Sequence, residues 1–373
     1  MKVWPILGIG LMQTLLLLAH WFIFHTLVVF YGDLTLSQTL ALGATLFLLA
    51  FSFIAAALLG YSSSSLPVRL IYTFAAIWLG FLNYFFFAAC FCWLVDLALL
   101  FSPLAPSLPQ YRPLIAGIFF SLAILTGIYG LLNARWVRIR RVTVQLPNLP
   151  PSWCGRTALL ISDLHLGNIN GPGFCRRIVA LAARLQPDIV FLPGDLFDGV
   201  HADPSRLIAP FKDLSPPYGT FFTAGNHEEY GGETNFTHAL IQAGIRVLIN
   251  EKINVDGLQI LGIPYADSHS PIHLRANLEA LFPDPALASI LLNHAPHRLP
   301  IVEQAGISLQ LSGHTHGGQL IPFTWFTRSA FGKFTYGLHR FGSLQVYTSS
   351  GAGTWGPPMR VGTHPEIVLL QFE

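Results

Sequence analysis

Charge is almost missing from the first third of this 373-residue chain. Residues 1–134 carry only Lys2, Asp33, Arg69, Asp96 and Arg112, although the whole chain has 21 Lys+Arg and 19 Asp+Glu. A domain that folds in water carries about a quarter charged residues, so this stretch is suited to lipid instead. Four apolar runs divide it: Trp4–Phe30, Thr39–Leu59, Leu70–Leu94 and Leu114–Leu132. Each reaches the roughly 20 residues needed to cross a hydrocarbon core. Turn residues separate them, at Gly32-Asp33, at Ser62–Ser65 with Pro67, and in a loop containing Pro103, Pro106, Pro109 and Pro113. The first run is too long for a cleaved signal and lacks a small-x-small site. The expectation is an all-α four-helix transmembrane bundle over 1–134.

Four spans put both ends of the bundle on one side. That side collects Lys2, Arg69, Arg135, Arg138, Arg140 and Arg141, and the other has Arg112. Basic short loops stay cytoplasmic, so the large domain is expected in the cytoplasm. The arginines of 135–141 are also suited to anionic headgroups. Four cysteines without zinc-ribbon spacing fit a reducing compartment. Net charge +2 argues against a nucleic-acid partner. Within the spans, His20, His25, Asn83 and Asp96 are polar. No charged partner at depth is evident for Asp96, which is expected to reach the interface from the end of its span. Cys90 and Cys92 read as small packing residues.

After the proline-rich stretch 147–151, short apolar runs alternate with amphipathic ones. Strands are expected at Thr157–Ser162, Ile189–Pro193, Thr220–Ala224, Arg246–Ile249, Leu258–Ile263, Ser289–Asn293, Ser308–Leu311, Leu344–Thr348 and Ile367–Gln371. Helices are expected at Gly173–Leu185, Thr234–Ala243, Pro271–Leu281 and Pro296–Ala305. In the first helix Phe174, Ile178, Leu181 and Leu185 share one face. Alternation of this kind argues an α/β domain with its working loops after strand C-terminal ends.

Those ends carry the chemistry. The first strand runs into Asp163-Leu164-His165, the second into Gly194-Asp195, and the third into Gly225-Asn226-His227-Glu228. Two later strands deliver His294 and Gly313-His314-Thr315-His316. Asp163, His165, Asp195, Asn226, His294, His314 and His316 make seven oxygen and nitrogen donors, more than one ion needs. A carboxylate bridging two ions accommodates them. With no thiolate present, a structural zinc site is disfavoured. The donor mixture suits two divalent ions, manganese, iron or zinc, and affinity order alone does not choose among them; manganese is the expected pair.

This series resembles the calcineurin-like metallophosphoesterase superfamily. Gly317-Gly318-Gln319 and the tail Gly351-Ala352-Gly353-Thr354, with Pro358, Arg360, Gly362 and Pro365-Glu366-Ile367, resemble its bacterial, membrane-associated branch. The resemblance implies a four-layer αββα sandwich after the transmembrane bundle. It implies one metal on Asp163, His165, Asp195 and His316, and a second on Asp195, Asn226, His294 and His314. His227 would then be a catalytic residue outside the metal shell, protonating the leaving oxygen after attack by metal-bound hydroxide. Glu228 would orient its loop.

Weaker features are Asp198, His201 and Asp203, read as a solvated loop beside the pocket, and Asp267 with His269 in a polar loop. Arg360 is suited either to a phosphate or to bracing the tail. An aromatic insert, Phe323, Trp325, Phe326, Phe331, Phe334 and Tyr336, is read as pocket wall, interface contact or core. The expected organisation is a four-span region at 1–134, a basic juxtamembrane linker at 135–154 and the phosphoesterase domain at 155–373. The expected function is a phosphate mono- or diesterase in a bacterial cell membrane, with a phosphoester substrate that is lipid-linked in one version. The alternative is a receptor or transport module with a regulatory phosphoesterase output.

Overall fold

The computed structural model describes residues 3–199, 202–231 and 233–373. Two compact units emerge: residues 1–132 with 356–359, and residues 133–355 with 360–373.

The first unit holds α1 (Val3–Tyr31), α2 (Leu36–Ser62), α3 (Leu66–Leu100) and all but the last three residues of α4 (Leu108–Arg135), which belong to the second. All four are long and apolar enough to cross a membrane. They outrun the apolar runs at both ends, because polar and proline residues are tolerated in first and last turns. Pro109 and Pro113, expected in a loop, lie within α4. Large apolar side chains such as Leu15, Leu18, Trp21, Leu48 and Leu125 are exposed, as lipid-facing positions require.

Polar side chains stitch the helices. Trp78 Nε1 donates to His20 Nε2 at 2.9 Å, and Gln13 Nε2 donates to the Ala50 carbonyl at 3.0 Å. His25 is sandwiched between Trp21 and Trp93, at 5.6 Å from each ring. Asp96 corrects the sequence reading. It is buried, and its carboxylate receives Arg112 Nε and Nη2 at 2.8 and 2.9 Å. The partner was missed because it lies 16 residues away, in a segment read as loop.

The second unit holds two six-stranded sheets. The first, in spatial order, is β1 (Arg138–Val144), β12 (Glu366–Phe372), β2 (Thr157–Leu160), β3 (Ile189–Leu192), β4 (Thr220–Phe222) and β5 (Ile245–Val247). The second is β10 (Gly337–Phe341), β11 (Leu344–Thr348), β9 (Leu309–Ser312), β8 (Ser289–Leu292), β7 (Leu258–Gly262) and β6 (Glu251–Val255). Strands β2 to β5 are parallel, as are β7, β8, β9 and β11. Their C-terminal ends therefore gather at one edge of each sheet.

Alternation builds the layers. In β2, Ala158 and Leu160 enter the core between the sheets, while Leu159 faces the helices outside. In β8, Ile290 and Leu292 point between the sheets and Leu291 outward. Strands buried on both faces read as continuous apolar runs. Helix α5 (Pro172–Arg184) covers the first sheet with Cys175, Ile178, Val179 and Ala182. The expected face of α5 is thus rotated: Phe174, Leu181 and Leu185 are only half-buried at the margin of this core. Leu274, Leu278, Leu299 and Val302 cover the second sheet. The result is the αββα sandwich.

Three strands escaped the sequence reading. β1 falls inside the expected linker and pairs in parallel with β12. Its Arg-Ile-Arg-Arg sequence looks unlike a strand, yet an edge position leaves those arginines outward. β6 and β10 are likewise edge strands with mixed polarity.

Candidate metal centre

The loops that follow β2, β3, β4, β8 and β9 meet at the gathered strand ends. Asp163 N–H donates to Gly194 O at 3.2 Å, His165 N–H to Asp195 O at 3.1 Å, and Gly313 N–H to His294 O at 2.8 Å. Close approach of these backbones needs glycine at Gly194, which has φ 90°, and at Gly313. A Cβ on Gly313 would overlap the Asp163 carboxylate and the Ser162 hydroxyl. Asp163, His165, Asp195, His314 and His316 all adopt left-handed φ, between 45° and 69°. Side-chain residues avoid that region, and such strain gathers where the surroundings over-determine the backbone.

The structure brings the seven expected donors and His227 into one cluster. Ligand atoms of Asp163, His165 and His316 lie within 4.8 Å of one another, as do those of Asp195, His294 and His314. His165 Nε2 is 3.0 Å from His316 Nε2, and His316 Nε2 is 3.5 Å from Asp163 Oδ1. His294 Nε2 is 3.1 Å from Asp195 Oδ2. Asn226 Oδ1 is 3.0 Å from His314 Nδ1. His227 also falls within reach of His165 and Asp195. Asn226, His227 and His314 are half-buried and mark the open side, while Asp163, His165, Asp195 and His294 are buried.

The donor chemistry fits cations. His294 Nδ1 lies 2.7 Å from the Pro193 carbonyl, which fixes the proton there and turns the Nε2 lone pair toward Asp195. Lone pair facing carboxylate is tolerable only with a proton or a metal between them. Burial pushes His294 down, but Asp195 and Asp163 override it and raise it to about 10. Burial would raise Asp195, yet His294 holds it well below the carboxylate range. Burial lowers His314 to about 3, helped by His294, and takes His316 well below its ordinary value. Burial raises Asp163. A cation would displace the His294 proton and find His314 and His316 already unprotonated.

Glu228 braces these loops. Its Oε2 accepts the N–H of Asp195 at 2.9 Å and of Gly225 at 2.8 Å, and its Oε1 accepts the N–H of Phe197 at 3.0 Å. Burial, then Asp195, raises it to about 7.

Asp198 corrects the solvated-loop reading. Its carboxylate lies 3.3 Å from His165 Nδ1 and 3.7 Å from His227 Nδ1. Asp203 caps a short helix through the Ser205 N–H at 3.0 Å, and His201 lies outside the described residues. Asp267 accepts from Asn250 Nδ2 at 2.6 Å and His269 packs against Tyr265 and His297, so neither joins the cluster. Arg360 braces the tail rather than meeting a phosphate. It is fully buried and donates to the carbonyls of His316, Ser350 and Gly353 at 3.1, 2.7 and 2.6 Å. Burial lowers it to about 10.

Sequence reading missed Tyr265, whose ring lies 5.5 Å from His314 and 6.0 Å from His294. It follows β7, which is parallel to β8, so its loop opens at the same edge. Trp355, 6.1 Å from His227, was also missed.

The calcineurin-like phosphoesterase family model matches residues 156–318, which contain every residue of the cluster. An uncharacterised metallophosphoesterase of Aquifex aeolicus is 31% identical over 260 residues, 68% of this chain and 98% of its own length. The chain belongs to the metallophosphoesterase family. Two further metallophosphoesterase relatives extend the comparison. An uncharacterised one from Campylobacter jejuni is 31% identical over 66% of each chain. A zebrafish transmembrane protein with a metallophosphoesterase domain is 32% identical, over 65% of this chain and 59% of its own. The matches thus span about six- to seven-tenths of these last two relatives. This metallophosphoesterase is a membrane protein with four apolar helices, and its family implies divalent metal ions.

Proposed function

We propose that the chain is a membrane-anchored metal-dependent phosphoesterase. In this reading Asp163, His165, Asp195 and His316 hold one cation, and Asp195, Asn226, His294 and His314 hold the other. The domains would be a four-span region at 1–134 and a phosphoesterase domain at 155–373, with the basic segment at 135–154 adding β1 to that domain's first sheet. The observation that carries the reading is the pair of donor triads in one centre, Asp163–His165–His316 and Asp195–His294–His314. Two divalent cations, manganese first, would supply charge neutralisation for a phosphoryl group and an acidified water.

The chain's own residues do the rest. His227 stands on the open side and passes a proton to the leaving oxygen. Burial lowers it, against the pull of Asp195 and Asp198. An arriving phosphoester anion raises it again. Asp198 faces its Nδ1 and steadies the protonated ring. Tyr265 and Trp355 wall the approach.

An amphiphilic, lipid-linked phosphoester is the substrate class that the surface favours. In the helix Phe323–Phe331 no residue is buried, and Trp325 and Phe326 are each 68% exposed. Phe331, at its end, lies 6.1 Å from His314. Aromatics of this kind favour the bilayer interface. A bacterial cell membrane with the domain in the cytoplasm is the matching location, from the arginine excess at 135–141. The transport alternative draws no support, since Asp96 and Arg112 close on each other within the bundle.

The test uses the full chain in detergent, loaded with manganese, iron or zinc, on phosphate mono- and diesters. His227→Ala should keep both metals by elemental analysis and slow turnover about 10²- to 10⁴-fold. The loss should be larger for alkyl than for nitrophenyl esters, since only the alkoxide needs the proton. Metal lost in this variant overturns the role of His227. Turnover of soluble nucleotides alone, indifferent to micelles, overturns the lipid-linked substrate.

A further inference from the structure

A second site of different chemistry lies in the polar unit and shares no residue with the metal centre. It is a cavity of about 330 Å³ between residues 135–137 and helix α5, all within that unit. Arg135, Arg177 and Arg184 bring three positive charges to it, and Trp136, Phe174 and Leu181 give it apolar walls. Arg177 and Arg184 are seven residues apart, two helical turns, and so share one face. Phe174 and Leu181, displaced from the core by the rotation of α5, are half-buried beside them.

The cavity has no internal counter-charge. α5 contains three arginines and no acidic residue. Among the described residues, arginine ion pairs involve Arg112, Arg156 and Arg246, none of which lines this cavity. Arg177 rests 5.5 Å from the Phe174 ring instead. Converging like charges are stabilised by an anion from outside, and guanidinium forks match phosphate bidentately. Apolar walls beside that charge suit the glycerol and first methylenes of a lipid. The place in the chain fits as well. Arg135 is the last residue of α4, where an apolar 28-residue helix ends, and the adjoining Trp136 is exposed. Tryptophan and arginine are the residues favoured at headgroup level.

We propose that this cavity binds the phosphate headgroup of an anionic phospholipid. The proposal is independent of the catalytic reading and of the lipid-linked substrate.

The test titrates the full chain, in neutral detergent, with three probes: dihexanoyl phosphatidylglycerol, dihexanoyl phosphatidylcholine and inorganic phosphate, followed by calorimetry. Phosphatidylglycerol should bind, and phosphatidylcholine should bind about tenfold more weakly or worse. The double variant Arg177→Gln/Arg184→Gln should weaken phosphatidylglycerol about 25-fold, at about fivefold for each arginine. Nitrophenyl phosphate turnover should be unchanged, since neither arginine belongs to the metal centre. Should the double variant misfold, Ala180→Glu places a carboxylate on the exposed cavity wall and should weaken the same probe. Undiminished phosphatidylglycerol binding in the folded variant overturns the proposal. So does equal binding of phosphatidylcholine, which would show that the cavity does not select an anionic headgroup. Inorganic phosphate binding as tightly as phosphatidylglycerol would make it a free-anion site and overturn the lipid assignment.

Discussion

Replacing Glu228 by glutamine keeps its shape and removes its charge, which isolates what this buried carboxylate does. Two N–H groups, of Asp195 and Gly225, share one oxygen, and the Phe197 N–H uses the other. A glutamine has one oxygen to offer, so at least one N–H is left facing an amide that cannot accept. An orphaned buried donor costs about 1–3 kcal/mol. In a domain of this size about 2 kcal/mol lowers Tm by roughly 4–8 °C. That penalty should be visible at pH 4.5–5 in metal-free protein, where the wild-type side chain is protonated and still accepts through both oxygens. Above this the wild type weakens. Its carboxyl is raised from 4.5 to about 7 by burial and Asp195, so its stabilising contribution is complete below pH 4.5 and is lost as pH rises through 7. The loss amounts to about 3 kcal/mol, enough to close the gap with Glu228→Gln by pH 8. With metals bound, nearby positive charge favours the carboxylate, and the variant should bind metal about 10- to 100-fold more weakly. The assay is thermal unfolding of chelator-treated wild type and variant from pH 4.5 to 8, with metal titration at pH 8. A gap constant across that range, or metal affinity equal to wild type, would rule out this role for the Glu228 carboxylate.

Asp195→Asn should lower occupancy of both metal positions if the proposed bridge holds, because Asp195 Oδ2 lies 3.1 Å from His294 Nε2 and 3.8 Å from His165 Nε2; elemental analysis showing two metals per chain would contradict the bridging role. Gly313→Ala should abolish metal binding, since the added Cβ collides with the buried Asp163 carboxylate that the His314 N–H anchors at 3.0 Å; retained metal content would show that this loop can yield. Asp96→Asn removes the charge facing the half-buried Arg112 guanidinium and one of its two acceptors, and should destabilise the bundle in detergent by about 1–3 kcal/mol. Adding Arg112→Gln should recover most of that loss, and no recovery would mean that the pair is not coupled.

Much of this molecule is legible in one dimension. Hydropathy alone separates the four long helices from the polar domain, because lipid excludes charge over any segment that crosses it. The donors are legible because parallel strands deliver their C-terminal loops to one edge, so metal-binding residue types recur directly after apolar runs. The rest depends on partners distant in sequence. Asp163 faces His314 and His316 across 151 and 153 positions, and the left-handed backbone at five donors is held by hydrogen bonds between separate loops. Asp198 looked solvated because nothing nearby in sequence needs it; folding sets it against His165 and His227. β1 looked like a charged linker because edge strands tolerate outward charge, and only pairing with β12, more than 220 residues away, makes it a strand. Arg112 looked like a loop residue until α4 carried it to Asp96. Apolar segments and metal-binding residue types can be read along the chain, since both are properties of side chains. Tertiary structure alone decided which charges meet and which backbones are strained, because those are properties of distance.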